Sequence, residues 1–371
     1  MADSHSTTDE RTAPASDEPL LRVEDLRTSF GRRDPLVAVD GISYELGAGE
    51  TLGIVGESGA GKSVSVRSLV GLIDEGEVEG SVEWRGEELV GAPQRKLRSV
   101  RGSGIGMVFQ NAEAAFDPTE TVGAQIVEAV RASRDLSKQE ARAEAVELLE
   151  EVGIGDPEGR FRDYPHEYSG GMAQRAVIAM ALAGEPDLLI ADEPTTGLDV
   201  SVQAGIVDLF RELVAEREMS LLLISHDLGI VSQLCERIMV MYAGRIVERG
   251  SRKALLGSPR HPYTQAFLRS VPDVDERRDL EPIGGSPPSL DDPPEGCRFH
   301  PRCPAAETGL CDGEAPPTVR FADEEADAGG RDADRHEATC YAYTDAHPGG
   351  EAYDRSAVES IDWDDGTEGE R

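Results

Sequence analysis

Short apolar runs along the chain alternate with longer segments whose apolar residues recur every three or four positions, and that alternation sets the architecture. Leu21-Arg-Val-Glu-Asp-Leu-Arg-Thr-Ser-Phe30 and Val37-Ala-Val-Asp-Gly-Ile-Ser-Tyr44 read as short strands joined by turns. Thr51–Val55 is a β-rich apolar run, and Lys62–Leu72 carries apolar residues at helical spacing. A further strand is expected over Gly104–Phe109. From about Ala112 to Leu182 helical spacing dominates. Val122–Ala132 and Lys138–Val152 are the clearest cases, the second with Glu and Arg on its other face. Strand patterns resume at Leu188–Ala191 and Leu221–Ile224, both short and wholly apolar, as buried parallel strands are. Strands alternating with helices predict an α/β fold with a doubly wound parallel sheet, into which the helical stretch is inserted as a subdomain. Around Ser258 the texture turns to Pro- and Gly-rich loops. Residues 1–19 and about 346–371 are polar and acidic, and are expected to be disordered tails.

Charge changes the picture. The 371 residues include 72 acidic and 37 basic ones, a net charge of −35, and lysine occurs only at 62, 96, 138 and 253. Such acidity repels nucleic acid and anionic lipid, so neither is an expected direct ligand. The acid is spread along the whole chain, which is the expectation for a protein of a salt-rich cytoplasm. At molar salt the Debye length falls to about 3 Å, and self-repulsion and repulsion of an anionic ligand are largely screened. No apolar run approaches the roughly 20 residues needed to cross a bilayer. The first nineteen residues lack the basic start and apolar core of a signal peptide, so the chain is expected in the cytosol.

The chemistry begins at Gly56-Glu-Ser-Gly-Ala-Gly-Lys-Ser63, a Gly-x4-Gly-Lys-Ser phosphate loop between a strand and a helix. Gly56, Gly59 and Gly61 let the backbone close around phosphates, so that the N–H groups of the loop, Ser58 included, and a helix N-terminus face the anion. Lys62 supplies a point charge for the β- and γ-phosphates, and the Ser63 hydroxyl can ligate Mg2+. Leu188-Leu-Ile-Ala-Asp-Glu-Pro194 is a buried strand ending in paired acids. There Asp192 can hold the Mg2+ shell while Glu193 polarises an attacking water.

Tyr168-Ser-Gly-Gly-Met172, with Gln174-Arg175 beyond it and the Asp192-Glu193 strand next, resembles the signature motif of ABC-type ATPases. Gly197-Leu198-Asp199 resembles their D-loop, Gln110 their Q-loop, and His226 after Leu-Leu-Ile-Ser their switch histidine; Phe30 falls where that family sets an aromatic against adenine. The motifs keep the family's order over roughly residues 20–255. The resemblance implies a P-loop NTPase of the ABC nucleotide-binding type with a helical subdomain at about 112–182. It also implies that ATP is sandwiched between two such domains, the phosphate loop of one facing Ser169, Gly170 and Gly171 of the other. Glu193 would be the base, His226 would position the γ-phosphate, and Gln110 would sense the Mg2+ site and the permease together. Tyr164-Pro-His-Glu-Tyr, Ser225-His-Asp-Leu-Gly, His261-Pro-Tyr-Thr-Gln-Ala and Pro282-Ile-Gly-Gly-Ser-Pro-Pro-Ser-Leu resemble the ATPase subunits of oligopeptide, dipeptide and nickel importers. Residues 256–345 then form that subgroup's C-terminal extension. Asn111-Ala-Glu-Ala-Ala-Phe-Asp-Pro departs from the subgroup's Asp-Pro-x-x-Ser-Leu-Asn-Pro, at the stretch that faces the permease.

Cys297, Cys303, Cys311 and Cys340 are spaced C-x5-C-x7-C-x28-C. Disulfides are not expected in a cytosolic ATPase. Four thiolates suit zinc or an iron–sulfur cluster, although the spacing lacks the C-x2-C pairs of common zinc ribbons. The resemblance to the importer subunits implies a [4Fe-4S] cluster, with Zn2+ or free thiols as the alternatives. Cys235 is expected to be simply buried. Taken together, the chain is expected to be the ATP-hydrolysing subunit of an importer for peptides, or else for nickel chelates or sugars. It would be peripheral to the cytoplasmic face of the membrane of a halophilic archaeon. The expected partners are a second, homologous ATPase subunit, two transmembrane permease subunits and, indirectly, an extracellular solute-binding protein. The alternative is a soluble ABC ATPase working on nucleic acid or ribosomes. The interval of about 130 residues from Lys62 to Asp192 leaves no room for a long coiled coil, and one nucleotide domain is present instead of a tandem pair.

Overall fold

Alternation of apolar and polar residues gives the first two strands, β1 (Leu21–Phe30) and β2 (Leu36–Leu46), one buried face each. β1 spans the run expected for it, and β2 extends the expected Val37–Tyr44 run by one residue at its start and two at its end. In this computed structural model, which describes residues 18–270, 282–321 and 335–346, they pair antiparallel with each other. The tails expected to be disordered lie outside the described residues except for Glu18, Pro19 and Ala346. On its other edge β1 pairs with β4 (Gly76–Trp84), and β5 (Glu87–Glu88) completes a four-stranded sheet in the order β2-β1-β4-β5.

The second sheet is the expected parallel one, with additions. β3 (Thr51–Val55), β6 (Ile105–Val108), β7 (Leu188–Asp192), β8 (Ser220–Ser225) and β9 (Arg237–Tyr242) run parallel in the order β9-β3-β8-β7-β6. β10 (Arg245–Ser251) is antiparallel to β9, and β11 (Thr318–Phe321) and β12 (His336–Thr339) extend the edge. The part of the chain after 258 is thus not only loop. Its β12 pairs with β10 and joins the extension to the nucleotide sheet. Glu248 reinforces the junction: its buried carboxylate accepts from the backbone N–H groups of Arg260 and His261 (both 2.7 Å) and faces His336 Nε2 at 2.7 Å.

Helix α1 (Lys62–Leu69) follows the phosphate loop and stops three residues short of its expected end. α2 (Gln94–Val100) leads into β6. The helical insertion is α3 (Val122–Ser133), α4 (Lys138–Glu151), the single turn α5 (Pro157–Arg160) and α6 (Gly170–Leu182). α3, α4 and α6 share a core that includes Ile126, Val130, Ala145, Leu148 and Val177. A capping box starts α4: Ser137 Oγ accepts from Glu140 N–H at 3.3 Å, and the Glu140 carboxylate accepts from Ser137 N–H at 2.9 Å. α7 (Val200–Arg217), α8 (Leu228–Leu234), α9 (Arg252–Gly257) and α10 (Pro262–Arg269) complete the helices among the described residues. Cys235 is buried as expected, beside Gly53 of β3.

Asp40 of β2 joins three parts of the chain. It accepts from Arg245 Nε at 2.9 Å, pairs with Arg298 of the extension and lies 3.5 Å from Arg27 of β1. Burial opposes its ionisation, but the hydrogen bond from Arg245 and the charges of Arg298, Arg245 and Arg27 outweigh it and hold the carboxyl below its ordinary range. A depressed pKa adds stability above the unfolded-state value of about 3.9, and that stability is lost as pH falls through the folded-state value. Asp40→Asn is therefore expected to cost about 1–3 kcal/mol at pH 7 and to flatten the acid limb below about pH 4. Urea unfolding at high salt across that range measures both.

Candidate functional site

The loop after β3 bends because its glycines take angles closed to other residues: φ is 80° at Gly59 and 99° at Gly61. A Cβ on Gly61 would sit 2.2 Å from the Ala38 carbonyl oxygen, so the α1 N-terminus could not enter here with a side chain. Ser58, in the same loop, lines a cavity with Leu36 and Tyr242. Lys62 opens α1, buried, and its Nζ donates to the carbonyls of Gly56 (2.8 Å) and Glu57 (3.0 Å). Burial pulls its pKa down, and the nearby carboxylates of Glu193 and Asp192 pull it back up.

Ser63, one residue on, donates its hydroxyl to Asp192 Oδ1 at 2.7 Å. Asp192 ends β7 and is wholly buried; its second oxygen, Oδ2, has no hydrogen-bond partner among the described residues, although Arg67 lies 3.5 Å away. Burial raises the Asp192 pKa against the hydrogen bond from Ser63 and the charge of Arg67. A hydroxyl beside a carboxylate with one oxygen unsatisfied is an oxygen donor set that fits Mg2+ held partly through water.

Glu193 leaves the strand with φ 50°, a left-handed turn that swings its carboxylate towards Lys62. Its Oε1 is 3.7 Å from Lys62 Nζ. Its Oε2 accepts from Gln110 Nε2 (3.0 Å) and Thr196 Oγ1 (2.9 Å), and His226 Nδ1 is 3.2 Å away. Lys62, Ser63, Gln110, Asp192, Glu193 and His226, separated by up to 164 positions in sequence, thus meet at one end of the parallel strands. Two members of this cluster are not apparent from sequence. Thr196 lies in the Thr-Thr-Gly-Leu-Asp run without a distinguishing signal, and Arg67 is an ordinary helix arginine until the fold sets it beside Asp192.

Other expected residues lie elsewhere. Ser169 is the N-cap of α6, with Oγ accepting from Met172 N–H at 3.3 Å, and Gly170 and Gly171 open the helix as expected. Gly171 packs so closely on α7 that a Cβ would lie 2.6 Å from Val202. Among the described residues no hydrogen bond joins this helix start to the chain's own phosphate loop. Asp199 caps α7 without a side-chain cap bond, next to Val200, which is 82% exposed. Phe30 ends β1, opposite Leu36 of β2 and Gly76 of β4.

Cys297, Cys303, Cys311 and Cys340 are brought together from 44 residues of chain and line one cavity with His261 and Phe299. Burial raises the thiol pKa of Cys303 and Cys340 to about 12, and the neighbouring cysteines add to the rise. Among the described residues no three such side chains are grouped as a metal-holding set, and the cysteines stand as free thiols. His261 accepts from Tyr263 N–H through Nδ1 at 3.0 Å, and burial lowers its pKa to about 4, so its proton sits on Nε2. That buried N–H has no acceptor among the described residues, and an orphan donor on the wall of a sulfur-lined cavity fits a group that carries acceptors, such as cluster sulfides.

Residues 39–196 match the sequence family described as ABC transporter, and residues 247–311 match the oligopeptide/dipeptide transporter, C-terminal region. The dipeptide transport ATP-binding protein DppD of Bacillus subtilis is 47% identical over 292 residues, 77% of this chain and 87% of the relative. DppD of Escherichia coli is 46% identical, over 82% of this chain and 94% of the relative. The oligopeptide transport ATP-binding protein OppD of Salmonella typhimurium is 44% identical, over 83% and 92%. Among solved structures, a dimeric post-hydrolysis state of the ATP-binding cassette MJ0796 bound to ADP and Pi superposes with a TM-score of 0.57 at 25% identity. That match covers 62% of this chain and 98% of the other.

Proposed function

This chain belongs to the ABC transporter family of ATP-binding proteins, and on that premise we propose how its residues work as the ATP-hydrolysing subunit of a peptide importer. The convergence on Glu193 carries the reading: a carboxylate at a strand end, beside the phosphate-loop lysine and held by Gln110, Thr196 and His226. The loop N–H groups and Lys62 bind the β- and γ-phosphates of ATP. Ser63 and Asp192 would hold Mg2+, with Gln110 offering its side chain to the same site. When bound, the metal neutralises charge on the phosphate oxygens. Glu193 takes the proton of the attacking water, and His226 orients the γ-phosphate. Phe30 offers its ring to adenine.

Ser169, Gly170 and Gly171 start a helix with no partner in the chain's own phosphate loop, so they are available for the ATP of a second subunit. Asp199, which makes no side-chain cap bond, and exposed Val200 lie on the neighbouring helix start and fit the same contact. We assign the second subunit to a homologous ATPase. No described helix is long and apolar enough to cross a membrane, and contact with the membrane is through permease subunits at its cytoplasmic face. Residues 20–255 are the nucleotide-binding unit and 256–345 the extension. Its four cysteines would hold a [4Fe-4S] cluster, and His261 on the same cavity wall would offer its Nε2 proton to the cluster's acceptors. The −35 net charge reflects a salt-rich cytoplasm.

The test is ATP hydrolysis by the chain assembled with its permease and partner ATPase, with and without a dipeptide-loaded binding protein. The reading expects hydrolysis to rise with the loaded binding protein. Hydrolysis that rises with nucleic acid or ribosomes instead would overturn it.

A further inference from the structure

We infer that Arg302 and Tyr263, both outside the strand–loop–helix that binds phosphate, are positioning residues that hold the phosphate loop in its ATP-binding shape through Glu57. The inference rests on the reading of that loop as the ATP site.

Glu57 is the second residue of the loop and is fixed on every side. Arg302 Nη1 and Nη2 donate to its two carboxylate oxygens at 2.7 and 3.0 Å, a bidentate pair across 245 positions of chain. Its backbone N–H donates to the Tyr263 hydroxyl at 2.9 Å, and its carbonyl accepts from Lys62 Nζ at 3.0 Å. Arg302 is itself anchored: Nε donates to the Gly284 carbonyl at 2.8 Å and Nη1 to the Tyr242 hydroxyl at 3.1 Å, and its side chain is 4% exposed. Tyr263 is wholly buried, its ring 4.5 Å from that of Tyr242 and 5.4 Å from that of Phe299. Arg302 adjoins Cys303, and Tyr263 lies two residues past His261, so both members of the clamp are close in sequence to residues that line the cysteine cavity.

Two consequences follow from elementary physics. A glycine-rich loop has much freedom to lose on binding, and fixing Glu57 beforehand removes part of that loss. A carboxylate within the phosphate loop also repels a triphosphate, and the Arg302 guanidinium neutralises it. Removing Arg302 therefore costs affinity twice. Removing the Glu57 charge afterwards restores part of it.

The experiment is ATP binding by calorimetry on the full chain in high salt, for wild type, Arg302→Ala, Arg302→Lys, Glu57→Gln and the Arg302→Ala/Glu57→Gln pair. The expected result is a loss of about tenfold for Arg302→Ala. The lysine, a point charge without the fork, is expected to lose less. The double variant is expected to bind at least about threefold more tightly than Arg302→Ala alone, a non-additivity that only coupled residues give. If Arg302→Ala does not fold, the lysine variant and Glu57→Gln carry the comparison. Unchanged affinity in the arginine variants with a lowered melting temperature would make the clamp purely structural and overturn the inference. A double variant no better than the single one would do the same. A wild-type chain that binds no ATP would instead remove the reading on which the inference stands, and the inference with it.

Discussion

Glu193→Gln is expected to lower ATP hydrolysis by the assembled transporter at least about a hundredfold while leaving ATP binding nearly intact, the size of effect seen when a general base is removed. The replacement is isosteric. Its amide oxygen can still accept from Gln110 and Thr196, whose bonds at 3.0 and 2.9 Å hold the side chain in place. It cannot take a proton from water. Because Lys62 keeps its two carbonyl contacts at the loop, the phosphate cradle survives the change. Single-turnover hydrolysis beside equilibrium binding separates the two effects. Turnover within tenfold of wild type would assign the base to another group, and lost binding would make Glu193 a structural member of the cradle.

Lys62→Ala is expected to give the opposite pattern, with binding itself lost. The lysine is buried and faces two carboxylates, Asp192 and Glu193. Without it both acids meet the triphosphate uncompensated. Breaking a buried charge pair by removing one partner costs about 3–5 kcal/mol, which is a hundredfold or more in affinity. Calorimetric titration of the variant with ATP at high salt measures this. Affinity within a few-fold of wild type would show that backbone N–H groups alone hold the phosphates.

The residues that carry this chemistry were legible because the physics behind them is local. Three glycines, a lysine and a serine stand in eight consecutive positions, and Asp192 and Glu193 end a run of wholly apolar residues. The parallel strands β3, β7 and β8 were legible for the same reason, each being buried on both faces. What escaped depends on distant pairing. β4 reads Gly-Glu-Val-Glu-Gly-Ser-Val-Glu-Trp, whose alternation is interrupted at Gly80-Ser81, and it becomes a strand by pairing with β1 more than forty residues away. The β9–β10 hairpin turns through Ala243-Gly244, both at positive φ, and an alanine there carries none of the usual turn signal. β12 was hidden because its four residues, His-Glu-Ala-Thr, are too few and too polar to show a strand pattern until Glu248 and β10 gave them partners. The cysteines were visible as a group, but their convergence on one cavity with His261 is a property of the fold. The grip of Arg302 on Glu57 had no signal in sequence at all.

Uptake of a labelled dipeptide into proteoliposomes tests the central claim most directly. The vesicles would carry this chain, its partner ATPase and their permease, with binding protein outside and MgATP inside, in molar salt. The account predicts accumulation that requires ATP and falls to background when this chain carries Glu193→Gln. Accumulation that is indifferent to ATP or to that substitution, from vesicles whose ATPase is active, would contradict it.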